Sequence, residues 1–335
     1  MADSVTVYIA TYKRPEYLRD ALESVRRQTA RSRVAQVIVS ENSDSNGSRE
    51  VCRTFNDLPL EYLQQQPPVP ALLHTKAVWP RVKSPIIAIL HDDDWWDPQH
   101  LADSLGILDS DPGVASVMSS PYETFGPAYP PQVATKVWRV WVGSGCDFRP
   151  ASVRLDQAGI VVASLLEASF HYSSCVARAG AFYDAYIGMT EAGNDYDNDR
   201  LFPILLSFHG AMGYVTKLNV FTRVHPGQDC RRADFLAPGF ALKAKTTQWM
   251  KQKWPDLVRM GATRFNETAE KMSAGDLAYV SSQVLEPLKS VLINECGFKL
   301  APSNGKITER GSARWFVKQL CPPAILAVRR RLVKQ

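Results

Sequence analysis

The sequence predicts an α/β protein built on a mostly parallel, doubly wound β-sheet with a mixed second half. Strand and helix signals alternate through roughly the first 120 residues, and the strand-sized runs are apolar almost throughout. Such strands are typical of parallel sheets that are covered by helices on both faces. The predicted strands are Val5–Thr11, Val34–Ser40, Leu60–Gln64, Pro85–His91 and Val114–Ser119.

The segments between these strands carry helix and turn signals. Pro15 suits the first turn of a helix, and Leu18, Leu22 and Val25 recur after it at helical spacing. The second strand ends in the turn-rich stretch Glu41–Gly47. Further helices are predicted around Arg49–Asn56, Leu72–Val82 and Pro98–Leu108.

Beyond Pro121 the alternation breaks, which predicts the mixed half of the sheet. The segments expected there are a strand at Val137–Val142, a strand at His171–Ala177, a helix at about Asp197–His209 and strand-like sequence at Gly213–Arg223. The pattern after Asp234 is mainly helical. We therefore expect a first domain of residues 1–234 and a helical C-terminal region of residues 235–335.

Composition and charge exclude several classes of protein. The chain has 335 residues and a net charge of +5, but the segment from Lys306 onward carries eight basic residues against Glu309 alone. That segment has a net charge of +7 and the preceding 305 residues a net charge of −2, so a basic nucleic-acid-binding face is not expected. The six cysteines are scattered, without metal or redox spacing. No apolar run has membrane-spanning length and the start lacks a secretory signal, so a soluble, cytoplasmic protein is expected.

A run of three carboxylates is the strongest chemical signal. Asp92, Asp93 and Asp94 directly follow a buried strand, and ligands bind outside the carboxyl ends of such strands. The same rule places Thr11–Arg14 and Glu41–Ser43 along this crevice. Adjacent carboxylates repel one another unless a cation neutralises them, and Mg²⁺ or Mn²⁺ prefers oxygen ligands. The alternative is a solvated acidic turn before the helix at Pro98, where we expect Asp97 to act as the cap.

Three segments resemble the successive strand-end motifs of family 2 glycosyltransferases. They are Tyr8–Pro15, Val37–Ser43 and Ile89–Asp94, and the resemblance extends over roughly residues 4–230. It implies a Rossmann-like GT-A fold and an inverting enzyme of the bacterial polysaccharide type that uses a nucleotide-diphosphate sugar. It also implies that the first domain is the nucleotide-sugar-binding and catalytic one.

The resemblance assigns a donor site. It implies that Ala10, Thr11, Tyr12 and Arg14 line the nucleotide pocket. Glu41 stands where the family usually has an Asp that accepts a hydrogen bond from the base, so a UDP- or dTDP-linked sugar is favoured.

The third motif matches the DxD-type element that holds a metal on the diphosphate in this family. Asp94 and Asp93 are the metal candidates, and Asp92 is expected to face the ribose or the sugar. Thr222–Gln228 resembles an Arg-x-His segment, from which His225 could reach the metal or diphosphate; a structural role for His225 is the alternative. His171 is interpreted as structural. Trp95 and Trp96 are expected to stack on a sugar or to fill the core.

The catalytic base is expected in the acidic segment Glu191–Arg200. Inverting transfer needs a carboxylate that takes the proton from the acceptor hydroxyl. Family members place it in a Glu-Asp pair about eleven residues before a glycine. Counting back from Gly210 selects Asp199, with Asn198 in the position of the Glu. Asp195 and Asp197 are rival candidates for the base, and the alternative for one of them is that it caps the following helix.

The basic tail suggests a role at a surface. Residues 314–334 mix aromatic and aliphatic side chains with clustered Arg and Lys, as in amphipathic segments that lie on anionic membranes. The tail is therefore expected to bring the enzyme to a lipid-linked or other glycan acceptor, as a peripheral membrane protein. A helix packed on the body is the alternative. Two other functions remain open: a sugar nucleotidyltransferase and a catalytically silent nucleotide-sugar-binding subunit.

Overall fold

The fold is known from a computed structural model, which describes residues 3–119, 122–125, 134–137, 152–166, 170–192, 198–217, 219–225, 233–272, 274–284 and 286–301. Its strands are β1 (Val5–Thr11), β2 (Val34–Glu41), β3 (Leu60–Gln64), β4 (Ile86–His91), β5 (Asp94–Trp96), β6 (Val114–Ser119), β7 (Tyr122–Phe125), β8 (Ala134–Val137), β9 (Ser152–Leu155), β10 (Val176–Arg178), β11 (Ala211–Val215) and β12 (Val220–Val224). Its helices are α1 (Pro15–Arg26), α2 (Gly47–Arg53), α3 (Ala71–Val78), α4 (His100–Ser110), α5 (Gln157–Leu166), α6 (Ala179–Ala192), α7 (Asn198–Leu206), α8 (Ala233–Lys253), α9 (Pro255–Ala269), α10 (Ala274–Gln283) and α11 (Leu288–Asn294).

Eight strands form one mixed sheet in the order β3-β2-β1-β4-β10-β6-β11-β9. The strands β3, β2, β1 and β4 are parallel, whereas β10 runs antiparallel to both of its neighbours and β9 runs antiparallel to β11. The expected α/β GT-A fold, with a parallel first half and a mixed second half, is thereby confirmed.

The two faces of this sheet are covered by separate apolar layers. Alternate residues of β1 point in opposite directions: Val7 and Ile9 pack with α1, α2 and α4, while Tyr8 packs with the layer formed by α5, α6 and α7. Leu18, Leu22 and Val25 of α1 are fully buried, so the helical spacing read from the sequence marks the buried face. The strand ends are therefore held between two packed layers.

A smaller sheet in the order β5-β12-β7-β8 begins at Asp94, the third of the three aspartates. Its first strand, β5, pairs antiparallel with β12, so that Asp94 lies opposite Thr222. The chain thus leaves the large sheet at the end of β4 and enters the small one within three residues. This arrangement brings the segment around residue 223 back to the carboxylates.

Several element boundaries differ from the sequence-based expectations. The segment expected as a strand at His171–Ala177 contains a 3-10 turn at Tyr172–Ser174 before β10. The segment Gly213–Arg223 contains two strands, β11 and β12, that belong to different sheets. The predicted helix Leu72–Val82 ends at Val78 and continues as a 3-10 turn. The strand β5 is absent from the prediction because three residues carry no periodicity.

Two other expectations concern local features. Asp97 accepts a hydrogen bond from the backbone N–H of Gln99 (2.9 Å), but Gln99 is itself the N-cap of α4 and no side chain among the described residues caps that helix, so the expected capping role of Asp97 is not found. The strand predicted at Val137–Val142 overlaps β8 at Val137 only, and residues 138–142 lie outside the described residues.

The helices α8–α11 form the expected helical C-terminal region, in which α9 packs on α5 and α8 packs on α9 and α11. Among the helices that the structure describes, none combines the length and apolar character needed to cross a bilayer. The basic tail, including residues 314–334, lies outside the described part of the chain.

Gly210, at the entry to β11, provides a test of the fold. Its φ is +153°, and a Cβ there would lie 2.6 Å from the carbonyl oxygen of Gly113. Gly210→Ala should therefore lower the free energy of unfolding by about 1–3 kcal/mol, measured by urea denaturation. Gly106→Ala in α4 is the control, because its Cβ would meet no atom within 4 Å. That variant should be more stable by up to about 1 kcal/mol. Equal stability of the two variants would contradict the backbone geometry.

Candidate active site

Three strand ends meet at one edge of the large sheet. In the register of the sheet, Thr11 lies opposite Glu41, and Ala10 lies opposite His91. The parallel pairing continues one residue further, because the N–H of Asn42 donates to the carbonyl oxygen of Thr11 (3.0 Å). Ala10 is half-buried, and the next side chain, Tyr12, is exposed. These positions form the crevice that the sequence predicts.

Asp92 joins β4 to the loop after β1. Its carboxylate accepts hydrogen bonds from the Thr11 hydroxyl (2.8 Å) and the Tyr12 N–H (3.3 Å), and it lies 3.4 Å from the Arg14 guanidinium. Burial, together with the charge of Asp93, raises the pKa of Asp92 to about 7, although Arg14 and the hydrogen bonds oppose that rise. Asp92 therefore fixes the first loop of the crevice.

Asp93 is held between two basic side chains. Its Oδ2 accepts a hydrogen bond from Arg14 (3.0 Å) and lies 3.0 Å from His225 Nε2. Burial opposes ionisation of Asp93, but the hydrogen bond with His225 and the charges of His91 and Arg14 lower its pKa below the usual value. The structure therefore places His225 against Asp93; its predicted approach to a metal or diphosphate stays a prediction.

Asp94 lies on the other side of the triplet and is almost fully buried. Its carboxylate accepts hydrogen bonds from the Ser173 hydroxyl (2.5 Å) and the backbone N–H of Arg223 (3.3 Å). Burial, followed by the charge of Asp93, raises the pKa of Asp94 to about 7. The Ser173 hydroxyl also accepts from the N–H of His91 (3.1 Å), so it links the end of β4 to Asp94.

Two histidines face the same carboxylate. Asp94 Oδ2 lies 3.7 Å from Nδ1 of His91 and 3.8 Å from Nδ1 of His171. One ligand atom from each of the three residues lies within 4.8 Å of the other two, which is compatible with a shared cation. Sequence reasoning missed His91, although it directly precedes the aspartates, and interpreted His171 as structural. No spacing signal joins His171 to Asp94, because 77 positions separate them.

Arg223, the arginine of the Arg-x-His segment, supports the aspartates, a role that the sequence analysis did not assign to it. Its guanidinium is buried, stacks on the rings of Tyr17 (4.5 Å) and Trp95 (4.7 Å), and donates to Asp20 (2.6 Å). It also donates to the carbonyl oxygen of Asp93 (3.3 Å). Both Trp95 and Trp96 are buried, so both belong to the core.

Glu41 has a local role in the loop after β1. Its side chain has no exposed surface, and its carboxylate accepts from the Ser48 hydroxyl (2.5 Å) and the Lys13 N–H (3.2 Å). Lys13 has a positive φ of 55°, an unfavourable conformation for a residue with a side chain. The hydrogen bond to Glu41 helps to hold that conformation, which directs Tyr12 and Arg14. The predicted contact of Glu41 with a base stays a prediction.

Asp199, the favoured base, lies at the start of α7 and is half-buried. Its Oδ1 accepts a hydrogen bond from the Tyr172 N–H (2.9 Å), one residue before the serine that binds Asp94. Asp195 and Asp197, its rivals, lie outside the described residues. The buried Arg200 beside it donates to the carbonyl oxygen of Ser164 (2.9 Å) and to the hydroxyl of Thr247 (2.8 Å), which anchors α7.

Together, the mixed sheet and the acidic crevice define an α/β protein of the GT-A class. Residues 6–143 match the sequence model of Glycosyl transferase family 2. The match covers less than half of the chain, and it confirms the resemblance to family 2 glycosyltransferases that the sequence motifs indicate.

Comparison with solved structures agrees with this fold. S. aureus TarS 1-349 in complex with UDP-GlcNAc is similar with a TM-score of 0.54 and 13% identity, over 86% of this chain and 83% of that one. The complex of the same protein with UDP is similar with a TM-score of 0.53, 13% identity and the same coverage. No curated protein sequence matches the chain.

The buried histidine His74 lies beside the end of β2, and the pH dependence of protein stability tests whether it stays neutral there. His74 is 4% exposed, and its Nε2 lies 2.7 Å from the Ser40 hydroxyl. Burial lowers the pKa of His74 to about 4, so the folded protein keeps it neutral where the unfolded chain, with a pKa near 6.5, takes up a proton. Its contribution to stability is therefore present above about pH 6.5 and is lost as the pH falls towards 4.

His74→Gln should reduce this acid sensitivity. Over that interval the variant should lose up to about 3 kcal/mol less stability than the wild type, measured by urea denaturation at several pH values. His209→Gln is the control, since the His209 side chain is 31% exposed and lies near Asp184 at the surface. If His74→Gln kept the full acid dependence of the wild type, the buried neutral state of His74 would be excluded.

Proposed function

We propose that this protein is a metal-dependent, inverting glycosyltransferase that moves a hexosyl or deoxyhexosyl group from a nucleotide-diphosphate sugar to an acceptor hydroxyl. One observation carries the proposal. The adjacent residues Tyr172 and Ser173 bind Asp199 and Asp94, respectively, through a backbone N–H and a hydroxyl. A candidate base and a candidate metal ligand are therefore bound by two adjacent residues of one segment. That segment lies next to the strand ends at which a family 2 domain would bind its donor.

The donor would lie along the ends of β1 and β4. Tyr12 is the exposed aromatic side chain there, and the Arg14 side chain is 25% exposed although it pairs with Asp92 and Asp93. A partly exposed guanidinium suits the recognition of a diphosphate, to which it donates two hydrogen bonds. In this proposal Ala10 and Thr11 form the floor of the nucleotide pocket, and Asp92 holds the loop in place.

Two further assignments complete the donor site. Glu41 fixes the loop around Lys13 from beneath, as its contacts with Ser48 and the Lys13 N–H suggest. A UDP- or dTDP-linked sugar is the preferred donor; the TarS structures, which contain UDP-GlcNAc or UDP, support the class of donor through the likeness of fold alone.

The residues present fit a divalent cation. Asp94 is buried beside a histidine nitrogen, Nδ1 of His171, that has no hydrogen-bond partner among the described residues. Asp94 is the principal ligand in this proposal, with Asp93 and His225 as the further ligands that the sequence motifs imply. When bound, Mn²⁺ or Mg²⁺ supplies positive charge to the diphosphate leaving group. The hydrogen bonds from Ser173 and Arg223 hold the Asp94 carboxylate in a fixed orientation.

Asp199 would act as the general base. Its carboxylate takes the proton of the acceptor hydroxyl while the oxygen attacks the anomeric carbon, and the bond to the diphosphate breaks as the nucleoside diphosphate leaves. The hydrogen bond from Tyr172 occupies only Oδ1, so Oδ2 is the oxygen assigned to the acceptor. Asp195 and Asp197 remain the alternative bases.

The proposal extends to the class of acceptor and to the location of the protein. A glycan or lipid-linked saccharide is the proposed acceptor, and residues 314–334 are the proposed peripheral membrane contact on the cytoplasmic side. Within this proposal, residues 1–234 form the catalytic domain and residues 235–335 the helical region that carries the tail.

The donor site is tested by Asp94→Asn. We expect UDP and its sugar conjugates to raise the melting temperature of the wild type in the presence of Mn²⁺, because a ligand that binds the native state stabilises it. The variant should fold but lose most of this metal-dependent shift, since the amide is a poorer cation ligand. Asp184→Asn, at a side chain that is 60% exposed, is the control. An unchanged shift in Asp94→Asn would remove Asp94 from the donor site.

The catalytic base is tested by Asp199→Asn. The amide oxygen can still accept the hydrogen bond from Tyr172, so the fold and the donor affinity should change little, while kcat falls by about 10²–10⁴-fold. The measurement is UDP release with a mixed pool of saccharide acceptors, beside donor binding by calorimetry. Near-native turnover would transfer the role to Asp195 or Asp197. If the wild type bound donors but released no nucleoside diphosphate with any acceptor, the reading as a silent binding subunit would be favoured.

A further inference from the structure

We propose that His91 and His171 are direct ligands, with Asp94, of a nitrogen-rich cation site that prefers Mn²⁺, Co²⁺ or Zn²⁺ to Mg²⁺ and binds its ion before the nucleotide arrives. The inference rests on the proposed function only because Asp94 is a metal ligand in both. It adds His91 and His171 to the ligands of that ion, and it predicts that the ion stays bound to the protein in the absence of nucleotide.

The distances fit three donors around one ion. Nδ1 of His91 and Nδ1 of His171 lie 3.7 and 3.8 Å from Oδ2 of Asp94, and one ligand atom from each of the three residues lies within 4.8 Å of the other two. Donors bound to a common ion at about 2.1 Å are separated by roughly 3 to 4 Å in tetrahedral or octahedral geometry. Small side-chain rotations would therefore bring the three atoms into coordination range.

The orientation of the His171 ring supports this assignment independently. His171 is 8% exposed, yet its Nδ1 has no hydrogen-bond partner among the described residues. Its other nitrogen, Nε2, lies 3.5 Å from the Thr222 hydroxyl. A proton on Nε2 that points to Thr222 leaves the lone pair of Nδ1 directed to the site. A histidine that binds a metal commonly uses its second nitrogen in this way.

Two hydrogen bonds also hold the carboxylate of Asp94 in a fixed orientation. The Ser173 hydroxyl donates to the same oxygen, Oδ2, and the backbone N–H of Arg223 donates to Oδ1. Asp93, by contrast, accepts from Arg14 and lies 3.0 Å from His225. These contacts direct Asp93 towards Arg14 and His225, while Asp94 has two other imidazole nitrogens beside it. The two sides of the triplet therefore have different partners.

This donor set selects the metal. Imidazole nitrogen suits metals such as Zn²⁺ and Co²⁺, and the carboxylate of a mixed site also suits Mn²⁺, whereas Mg²⁺ prefers oxygen throughout and usually keeps several waters. A site with one carboxylate would need the diphosphate to complete the coordination shell. Two additional protein nitrogens remove that need, so the protein without nucleotide should already bind the ion.

The test is metal binding by the full-length protein without nucleotide. Mn²⁺ binding is followed by the loss of the free-ion electron paramagnetic resonance signal, and Co²⁺ binding by its visible absorption, which reports nitrogen ligands. We expect one ion to bind the wild type, with Mg²⁺ competing at least about tenfold more weakly. His91→Ala and His171→Gln should each weaken Mn²⁺ binding by about tenfold or more and alter the Co²⁺ spectrum. His209→Ala, at the surface, is the matched control.

Each outcome decides the matter. Wild-type affinity in both histidine variants, or no ion bound without nucleotide, would overturn the proposal. If Asp94→Asn still abolished metal-dependent UDP binding in that case, the proposed glycosyltransferase function would stand with a carboxylate site alone. If the buried His171→Gln variant failed to fold, as judged by circular dichroism, His91→Ala would decide, since the His91 side chain is 40% exposed.

Discussion

The structure depends on how it accommodates three adjacent carboxylates at the end of a buried strand. All three aspartates, residues 92–94, are less than 9% exposed, and like charges at this spacing strongly disfavour joint ionisation. The fold resolves the conflict by giving each one a different set of partners, although Arg14 contacts both Asp92 and Asp93. Asp92 binds the loop after β1, Asp93 binds Arg14 and His225, and Asp94 binds Ser173 beside two histidines. The elements that surround the crevice are those that supply these partners.

The change from one sheet to another follows from the same constraint. The backbone turns after Asp93, and β5 pairs with β12, which returns Arg223 and His225 to the aspartates across about 130 positions of sequence. Arg223 then fills the space beneath the triplet by stacking between Tyr17 and Trp95. A buried guanidinium needs several partners, and its contacts with Asp20 and the Asp93 carbonyl supply them. The small sheet thus supports the site as well as the fold.

The parts of this fold that the sequence predicts are those with a local signal. The strands β1, β3 and β6 lie where their apolar runs place them, and α1 begins at Pro15. The strand β5 escaped prediction because its three residues carry no period, and the 3-10 turn at Tyr172–Ser174 escaped because its serines serve Asp94 and the end of β6 through tertiary hydrogen bonds. The aspartates could be found from strand-end chemistry. His171 could not, since only folding brings it to Asp94.

The candidate base connects the site to the C-terminal helices. Arg200 follows Asp199 directly, is fully buried, and donates to α5 at Ser164 and to α8 at Thr247. The apolar core on this face is continuous from the sheet to Phe265 of α9 and Leu292 of α11. The proposed boundary at residue 234 therefore separates an α/β region from a helical region, and the two regions share one apolar core. The position of α7, and with it that of Asp199, depends on helices that contribute no residue to the crevice described here, so the C-terminal region acts on the site through packing.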